Sequence, residues 1–353
     1  MGIDWDSVKR VLVVRLRSIG DTVLATPSLI ALRRALPGAR IDILLEDWVA
    51  PLLSGFEAVD DVITVGKGNL SRLGLIRRLR RERYDVVFNL HGGTTSTFLT
   101  AASGARHRVG YRTYQYSFLY DHRCGPAADF WGASRTHSAE QQLALIGSVG
   151  ISVDDPPGSS LPIAAAALET IEKKLGYVNG EFTCPGFALF HPAAAFATKQ
   201  WPVSNFARAA EHLASKGIVS IAVASKNESG VLLELEKAAS VPIKTFDYLT
   251  LPEITALASK ALMFVGNDSG IAHIAAAVGT PCVVVFGSSN RDHWSPWDPA
   301  DAVPHEVVFE EFDCQPCPGY RCEVYGEPRC ILYLRAEKAL AAIDRVLANS
   351  NKG

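Results

Sequence analysis

No apolar run in this 353-residue chain approaches the length of about 20 residues that a membrane-spanning helix needs. The opening stretch, Met1 to Arg10, is polar and of mixed charge, with no apolar signal core, so a cytoplasmic location is expected. An excess of one charge is also missing. Lys and Arg number 35 against 37 Asp and Glu, a net charge of −2, which argues against a dedicated nucleic-acid binder. There is no low-complexity tract and no short-period repeat, which sets aside solenoids and fibrous arrays. The first strand is not followed by a Gly-x-Gly-x-x-Gly fingerprint, so a nicotinamide dehydrogenase is not indicated.

What is present suits two well-filled domains. The length favours two on a prior of roughly 100–200 residues each, and hydrophobic residues make up 48% against 20% charged. Charge is unevenly spread. Residues 1–150 hold 19 Lys and Arg against 14 Asp and Glu, a balance of +5, and the remainder holds 16 against 23, a balance of −7. A basic first half suggests an anionic partner there, such as a membrane surface or a phosphorylated acceptor. Chance asymmetry is the plain alternative.

The first half alternates short β-branched runs with amphipathic stretches. Residues 11–14 read as a buried strand, followed by a turn at Ser18-Ile19-Gly20 and a helix over about 21–36 that Pro37-Gly38 stops. Strands are predicted at 41–45, 62–65 and 85–90, the last ending at His91-Gly92-Gly93, with a basic helix over about 70–83. Residues 151–185 read as a connector, broken at Asp155-Pro156-Pro157-Gly158 and carrying a helix over 164–175. The alternation then restarts, with strands at 187–191, 219–224, 262–265 and 282–286 and helices at 203–215, 228–239 and 269–278. Strands alternating with helices imply parallel, doubly wound α/β sheets. Two Rossmann-like domains are therefore expected: 1–180 including the connector, 181–335, and a C-terminal helix over 336–353. Ligands of such sheets bind at the carboxyl ends of the strands, so the loops there are expected to face a cleft.

Three of those loops carry candidate chemistry. In Arg15-Leu16-Arg17-Ser18-Ile19-Gly20-Asp21-Thr22, Asp21 sits where a helix begins. It is either a helix cap, a role Asp fills well, or a carboxylate poised as general base. In Gly266-Asn267-Asp268-Ser269-Gly270-Ile271-Ala272-His273, Ser269 and Gly270 start a helix whose first N–H groups and dipole favour an anion such as a diphosphate. Asp268 could cap that helix or accept a hydroxyl hydrogen bond. His273 lies one turn on, as a packed core residue or a ligand contact. In His191-Pro192-Ala193-Ala194-Ala195 through Thr198-Lys199-Gln200-Trp201-Pro202, small residues precede a Lys that could supply a point charge to a diphosphate or stand in solvent. The basic helix, with Arg72, Arg77, Arg78, Arg80, Arg81 and Arg83, reads as a solvated face or as contact with anionic lipid.

Of the seven cysteines, four cluster as Cys314-x2-Cys317-x4-Cys322-x7-Cys330. Cytoplasmic thiols stay reduced, so this run suits a small tetrahedral site for zinc or iron, with free thiols as the alternative.

Taken in order, several motifs resemble glycosyltransferase family 9, which contains the ADP-heptose:lipopolysaccharide heptosyltransferases. They are Ser18-Ile19-Gly20-Asp21, Tyr84-Asp85, Arg108-Val109-Gly110, Lys199-x-Trp201-Pro202, Gly266-to-Gly270 with His273, Phe286-Gly287 and Trp294-x-x-Trp297. The resemblance covers nearly the whole chain. It implies a GT-B architecture, two Rossmann-like domains with the N-terminal one meeting the acceptor and the C-terminal one holding the donor. It further implies an inverting transfer with no catalytic cofactor. Asp21 matches the family's general base. Lys199, Asp268, Ser269, Gly270 and His273 match its donor-diphosphate contacts, and Glu228 a contact to the donor nucleoside. A similar cysteine-rich segment occurs in some members, where it would be structural. Departures are Pro192-Ala193-Ala194 for the usual Pro-Gly-Ala, Gln200 for Arg after the Lys, and Ala224-Ser225 where Gly-Gly is common. The expected partners are a nucleotide-diphosphate sugar, with ADP-heptose favoured, and a lipid-linked or phosphorylated saccharide at the inner membrane. Rival readings are transfer from another sugar nucleotide, a nucleotide-sugar epimerase of the same architecture, and a silent sugar-nucleotide binder.

Overall fold

The computed structural model describes residues 2–66, 68–176, 186–317 and 319–350. Its contacts divide the chain into two compact units, Met1–Pro162 and Ile163–Gly353. The boundary expected at 180 and 181 lies outside the described residues.

The first unit alternates strands β1 (Arg10–Val14), β2 (Arg40–Glu46), β3 (Asp61–Val65), β4 (Val86–Asn89), β5 (His107–Tyr111) and β6 (His122–Cys124) with helices. These are α1 (Ile19–Val23), α2 (Thr26–Ala35), α3 (Asn69–Glu82), α4 (Thr94–Ala102), α5 (Ala127–Trp131) and α6 (Ser138–Gly147). The strands form one parallel sheet in the order β3-β2-β1-β4-β5-β6. Val11 to Val14 are fully buried, as a strand covered by helices on both faces must be, which is why it reads as an unbroken apolar run. The helix expected over 21–36 is two. Leu24 and Ala25 separate α1 from α2, and Pro27 opens the second, a position where its missing N–H costs nothing.

The second unit begins with α7 (Ala165–Leu175), then β7 (Phe187–His191), α8 (Val203–Ala214), β8 (Val219–Val223), α9 (Ser229–Ala238), β9 (Ile243–Phe246) and α10 (Leu251–Lys260). It continues with β10 (Met263–Asn267), α11 (Gly270–Ala277), β11 (Cys282–Phe286), α12 (Arg291–Trp294), β12 (His305–Phe309), α13 (Arg329–Leu332) and α14 (Ala336–Ser350). Its sheet is also parallel, ordered β12-β11-β10-β7-β8-β9. Helix α7, which the sequence suggests is a connector, belongs here, where Lys174 pairs with Glu253 of α10 at 2.7 Å. Helix α14 is no separate appendage. Its Ala339, Ala342, Ile343 and Val346 share a core with Phe206 and Leu213 of α8.

Counted from its own first strand, each sheet has the same order, with strands one and four adjacent at the centre. That is the point where strand order reverses and crossovers leave a crevice for ligands. The loops after β1 and β4, and after β7 and β10, therefore occupy equivalent places in the two units.

Candidate functional site

In the first unit, the loop from Arg15 to Asp21 leaves the carboxyl end of β1. Arg15 is buried and forks, one guanidinium nitrogen donating to the Leu90 carbonyl and another to Oδ1 of Asp21. The other carboxylate oxygen accepts from the Ser18 N–H at 3.2 Å and the Ser18 hydroxyl at 2.9 Å. Asp21 is thus the third residue of α1 and closes a capping box with Ser18. The same geometry that satisfies the helix start fixes the Asp21 carboxylate at the strand end.

The loop after β4 stands beside it. Asn89 is fully buried. Its side-chain oxygen accepts from the N–H groups of His91 at 3.0 Å and Gly92 at 3.1 Å. Its amide donates to Ser96 at 3.1 Å and Tyr120 at 2.7 Å. Gly92 has φ +76°, and a Cβ there would lie 2.4 Å from the Tyr114 ring, so only glycine fits. The turn holds His91 near the Arg15–Asp21 pair. Burial, then the Arg15 charge, lower the imidazole below its ordinary value, against the Asp21 charge and a hydrogen bond to the Arg17 backbone. Sequence reasoning found His91 only as a strand end and gave Arg15 no role.

In the second unit, Lys199 Nζ donates to Oδ2 of Asp268 at 2.7 Å. Two anchors bring them together. Trp201 is fully buried, its indole N–H donating to the Leu334 carbonyl at 2.7 Å and its ring edge-on to Phe206 at 5.1 Å. Asn267, also fully buried, accepts from the Trp201 N–H at 3.0 Å and donates to the Pro192 carbonyl at 2.9 Å. Gly287 lets the chain pass against this loop, since a Cβ there would lie 2.2 Å from the Thr198 carbonyl oxygen. Ser269 is the N-cap of α11 and Gly270 its first residue. Its hydroxyl lies 3.2 Å from Nδ1 of His191. His273 is buried one turn further along. Glu228 ends a short turn after β8, accepting from the Ser225 N–H at 3.1 Å and hydroxyl at 2.6 Å, and its charge reaches His191. The loops after β7 and β10 so gather Lys199, Asp268, Ser269 and Gly270 at one place.

The sequence profile of glycosyltransferase family 9 (heptosyltransferase) matches residues 72–325. The chain belongs to this family. It is a glycosyltransferase, and among its relatives is lipopolysaccharide heptosyltransferase 3 of Escherichia coli, 26% identical over 96% of this chain and 99% of that one. Lipopolysaccharide heptosyltransferase 2 of Escherichia coli K12 is 28% identical over 81% of this chain and 85% of that one. The fold matches the solved structure of the E. coli ADP-heptose lps heptosyltransferase II with a TM-score of 0.79, at 20% identity, covering 97% of this chain and 99% of that one. Of its motif residues, Asp21 stands after β1 at the centre of the first sheet, and Lys199, Asp268, Ser269 and Gly270 stand after β7 and β10 at the centre of the second.

Two further predicted features are the cysteine run and the basic helix. Cys314, Cys317, Cys322 and Cys330 do line one cavity, with Thr198, Ser288 and others, enclosing about 10 Å³. Burial pushes the Cys330 thiol up to about 11, and the neighbouring Cys317, Cys314 and Cys322 push the same way. The donor set suits a soft metal, but among the described residues no three His, Cys, Asp or Glu side chains are grouped to hold one. The arginines of α3 are partly engaged. Arg78 pairs with Asp61 at 2.6 Å and Arg80 donates to the Ala102 carbonyl at 3.0 Å, leaving Arg72, Arg77, Arg81 and Arg83 exposed. Arg80, Arg81 and Arg83 line a groove with Lys9 and Arg10 at the amino ends of β1 and β4, the opposite edge of the sheet from Asp21. Among the described residues, no helix is long and apolar enough to cross a membrane.

Proposed function

We propose that this chain moves a heptose from ADP-heptose to a lipopolysaccharide inner-core acceptor, with inversion, without a metal, and with Asp21 as general base. The observation that carries the reading is the Asp21 carboxylate, held at the centre of the first sheet by Arg15 and Ser18. The names of the relatives support the donor and acceptor classes.

The acceptor hydroxyl attacks the anomeric carbon as the bond from that carbon to the diphosphate oxygen breaks. Asp21 takes the hydroxyl proton during attack. The leaving diphosphate gains negative charge, which Lys199 and the first-turn N–H groups of α11 stabilise. Asp268 steers Lys199, the buried His273 of α11 is a further contact to the donor, and Glu228 meets the donor nucleoside.

Calorimetric titration with ADP, GDP and UDP, followed by transfer assays with the matching sugar nucleotides, tests the donor. A clear preference for ADP with heptose transfer supports the reading. Preference for UDP or GDP removes ADP-heptose while leaving the fold and chemistry.

Two subsidiary readings go with it. The exposed arginines of α3 support peripheral contact with an anionic inner-membrane surface, tested by co-sedimentation with anionic against neutral vesicles. The shared cavity of the four cysteines supports a structural zinc or iron, which would require the thiols to draw together. Elemental analysis near one equivalent of metal supports it, and none removes it.

A further inference from the structure

Helix α11 starts in an unusual way for a helix with serine at its N-cap. The hydroxyl of an N-cap serine ordinarily accepts from the N–H of the second or third residue of its own helix, satisfying one of the groups left without an intrahelical partner. Ser269 has the extended backbone that this bond needs, with φ −155° and ψ 166°, yet its side chain makes no cap bond. The hydroxyl instead lies 3.2 Å from Nδ1 of His191. His191 ends β7, packed beside β10 in the register Gly266 to His191, and is only 6% exposed. A polar ring buried so deeply at a strand end is costly unless it is hydrogen-bonded, and Ser269 supplies such a partner.

We propose that His191 is a positioning residue for the donor diphosphate: it draws the Ser269 hydroxyl off its own helix, keeping the first-turn N–H groups of α11 available to the anion. This rests on the donor-site reading above. Were Ser269 to cap its helix, a hydroxyl oxygen would stand where a phosphate oxygen must come, and one amide donor would be spent. His191 touches no substrate and acts through Ser269. Burial drives the His191 ring down to about 4, so it is neutral at ordinary pH and adds no charge to the diphosphate site. Its contribution is therefore geometric, unlike that of Lys199.

The test is a two-residue cycle on the full chain, reading the ADP dissociation constant by calorimetry and the donor and acceptor KM by transfer assay. His191→Leu is expected to weaken ADP and raise the donor KM about tenfold or more, with kcat and acceptor KM changed less than about twofold. Adding Ser269→Ala to His191→Leu removes the hydroxyl that would swing onto the helix, and most of the lost affinity returns. His191→Asn, whose side-chain amide can take the place of Nδ1, holds ADP within about threefold of the parent. A double variant as weak as His191→Leu alone, or a His191→Leu protein that binds ADP normally, overturns the proposal.

Amide hydrogen exchange on the unaltered protein gives an answer even if His191→Leu fails to fold. Gly270, Ile271 and Ala272 should exchange quickly alone and become protected by ADP. Protection already complete without ADP also overturns the proposal. Failure of the unaltered protein to bind ADP would bring down the donor-site reading itself, whereas normal ADP binding lost in Lys199→Met but untouched by His191→Leu would bring down only this inference.

Discussion

Each sheet carries one ion pair at its centre, and the two pairs are built in opposite senses. In the first unit the cation is the buried partner: the Arg15 side chain is 10% exposed and Asp21 23%. In the second the carboxylate is buried: Asp268 is 6% exposed and Lys199 22%. A buried charge needs its partner far more than an exposed one does, so the exposed member is the one presented and the buried member holds it in place. The same strand order thus offers a carboxylate in one unit and an ammonium in the other. A proton acceptor and a diphosphate contact are what the proposed transfer from a nucleotide sugar requires.

Breaking the presented carboxylate should have the largest effect. Asp21→Asn keeps the size and can still accept from Ser18, so the start of α1 survives while the base is lost. Turnover is expected to fall by about 10²–10⁴-fold, the usual worth of a general base, with the ADP dissociation constant unchanged by calorimetry. Nearly normal turnover would reduce Asp21 to the capping role that its bonds to Ser18 already fill.

Breaking the presented cation comes next. Lys199→Met removes a charge-assisted contact, worth about 1.5–3 kcal/mol, so ADP should bind about 10–100-fold more weakly. It also strands the buried Asp268 carboxylate, and the unfolding midpoint should drop. Adding Asp268→Asn should restore stability without restoring ADP affinity, which separates the holder from the presenter in one pair of denaturation and titration curves. Recovery of both together would mean that the pair serves only the fold.

Much of this arrangement is legible in the sequence, and the illegible parts share a cause. Buried parallel strands such as Val11 to Val14 and Cys282 to Phe286 announce themselves as unbroken apolar runs, because both faces are covered. Strands β5, β6, β9 and β12 have no such run. β6 and β9 are edge strands of three and four residues, His122–Cys124 and Ile243–Phe246, and β12 lies at the opposite edge of its sheet from β9. With one side open to solvent they tolerate His, Arg, Lys and Glu. The proposed site residues, Asp21, Lys199 and Asp268 to Gly270, are picked out by their motifs. Their holders are not. Arg15, His191 and Asn267 act through partners 66 to 78 residues away and Asn89 through Tyr120, 31 residues on, much as Lys199 and Asp268 stand 69 apart, and spacing along the chain carries no sign of such contacts. A histidine at or just past the end of an apolar strand, His191 closing β7 and His91 two residues beyond β4, is the one local signal that the two loops share.

The acid limb of stability sharpens the contrast between the units further. Burial lowers His191 from its ordinary 6.5 to about 4, with the Glu228 charge pulling back. As pH falls from about 6.5 the unfolded chain takes up a proton that the folded chain refuses, so stability is full above that pH, declines below it and levels off beneath about 4. The interval corresponds to about 3 kcal/mol. His191→Asn should therefore lose about 2–3 kcal/mol less than the parent between pH 7 and 4.5 in urea unfolding. His91, His122 and His305 are lowered in the same direction by burial and supply the decline that remains. An unchanged pH slope in the variant would mean that His191 titrates normally in the fold.

The smallest expected effect concerns Glu228, which combines a structural and a functional assignment in one carboxylate. One oxygen accepts both hydrogen bonds from Ser225, so the other remains for a donor contact. Glu228→Gln can keep the capping bonds through its amide oxygen and exchange the remaining acceptor for a donor group. ADP should then weaken by less than about tenfold, consistent with about 0.5–1.5 kcal/mol for one hydrogen bond, with stability unchanged. Glu228→Ala also removes the cap, at a further cost of about 1 kcal/mol in unfolding, and should weaken ADP no more than Gln does if the cap and the contact are independent. A larger loss in Ala than in Gln would mean that the turn after β8, and not the carboxylate oxygen, is what the nucleoside meets. In either variant the charge that raises His191 is gone, so the His191 ring should fall further below its ordinary value and the acid decline should extend to lower pH, linking the third strand end of the unit to the histidine at its centre.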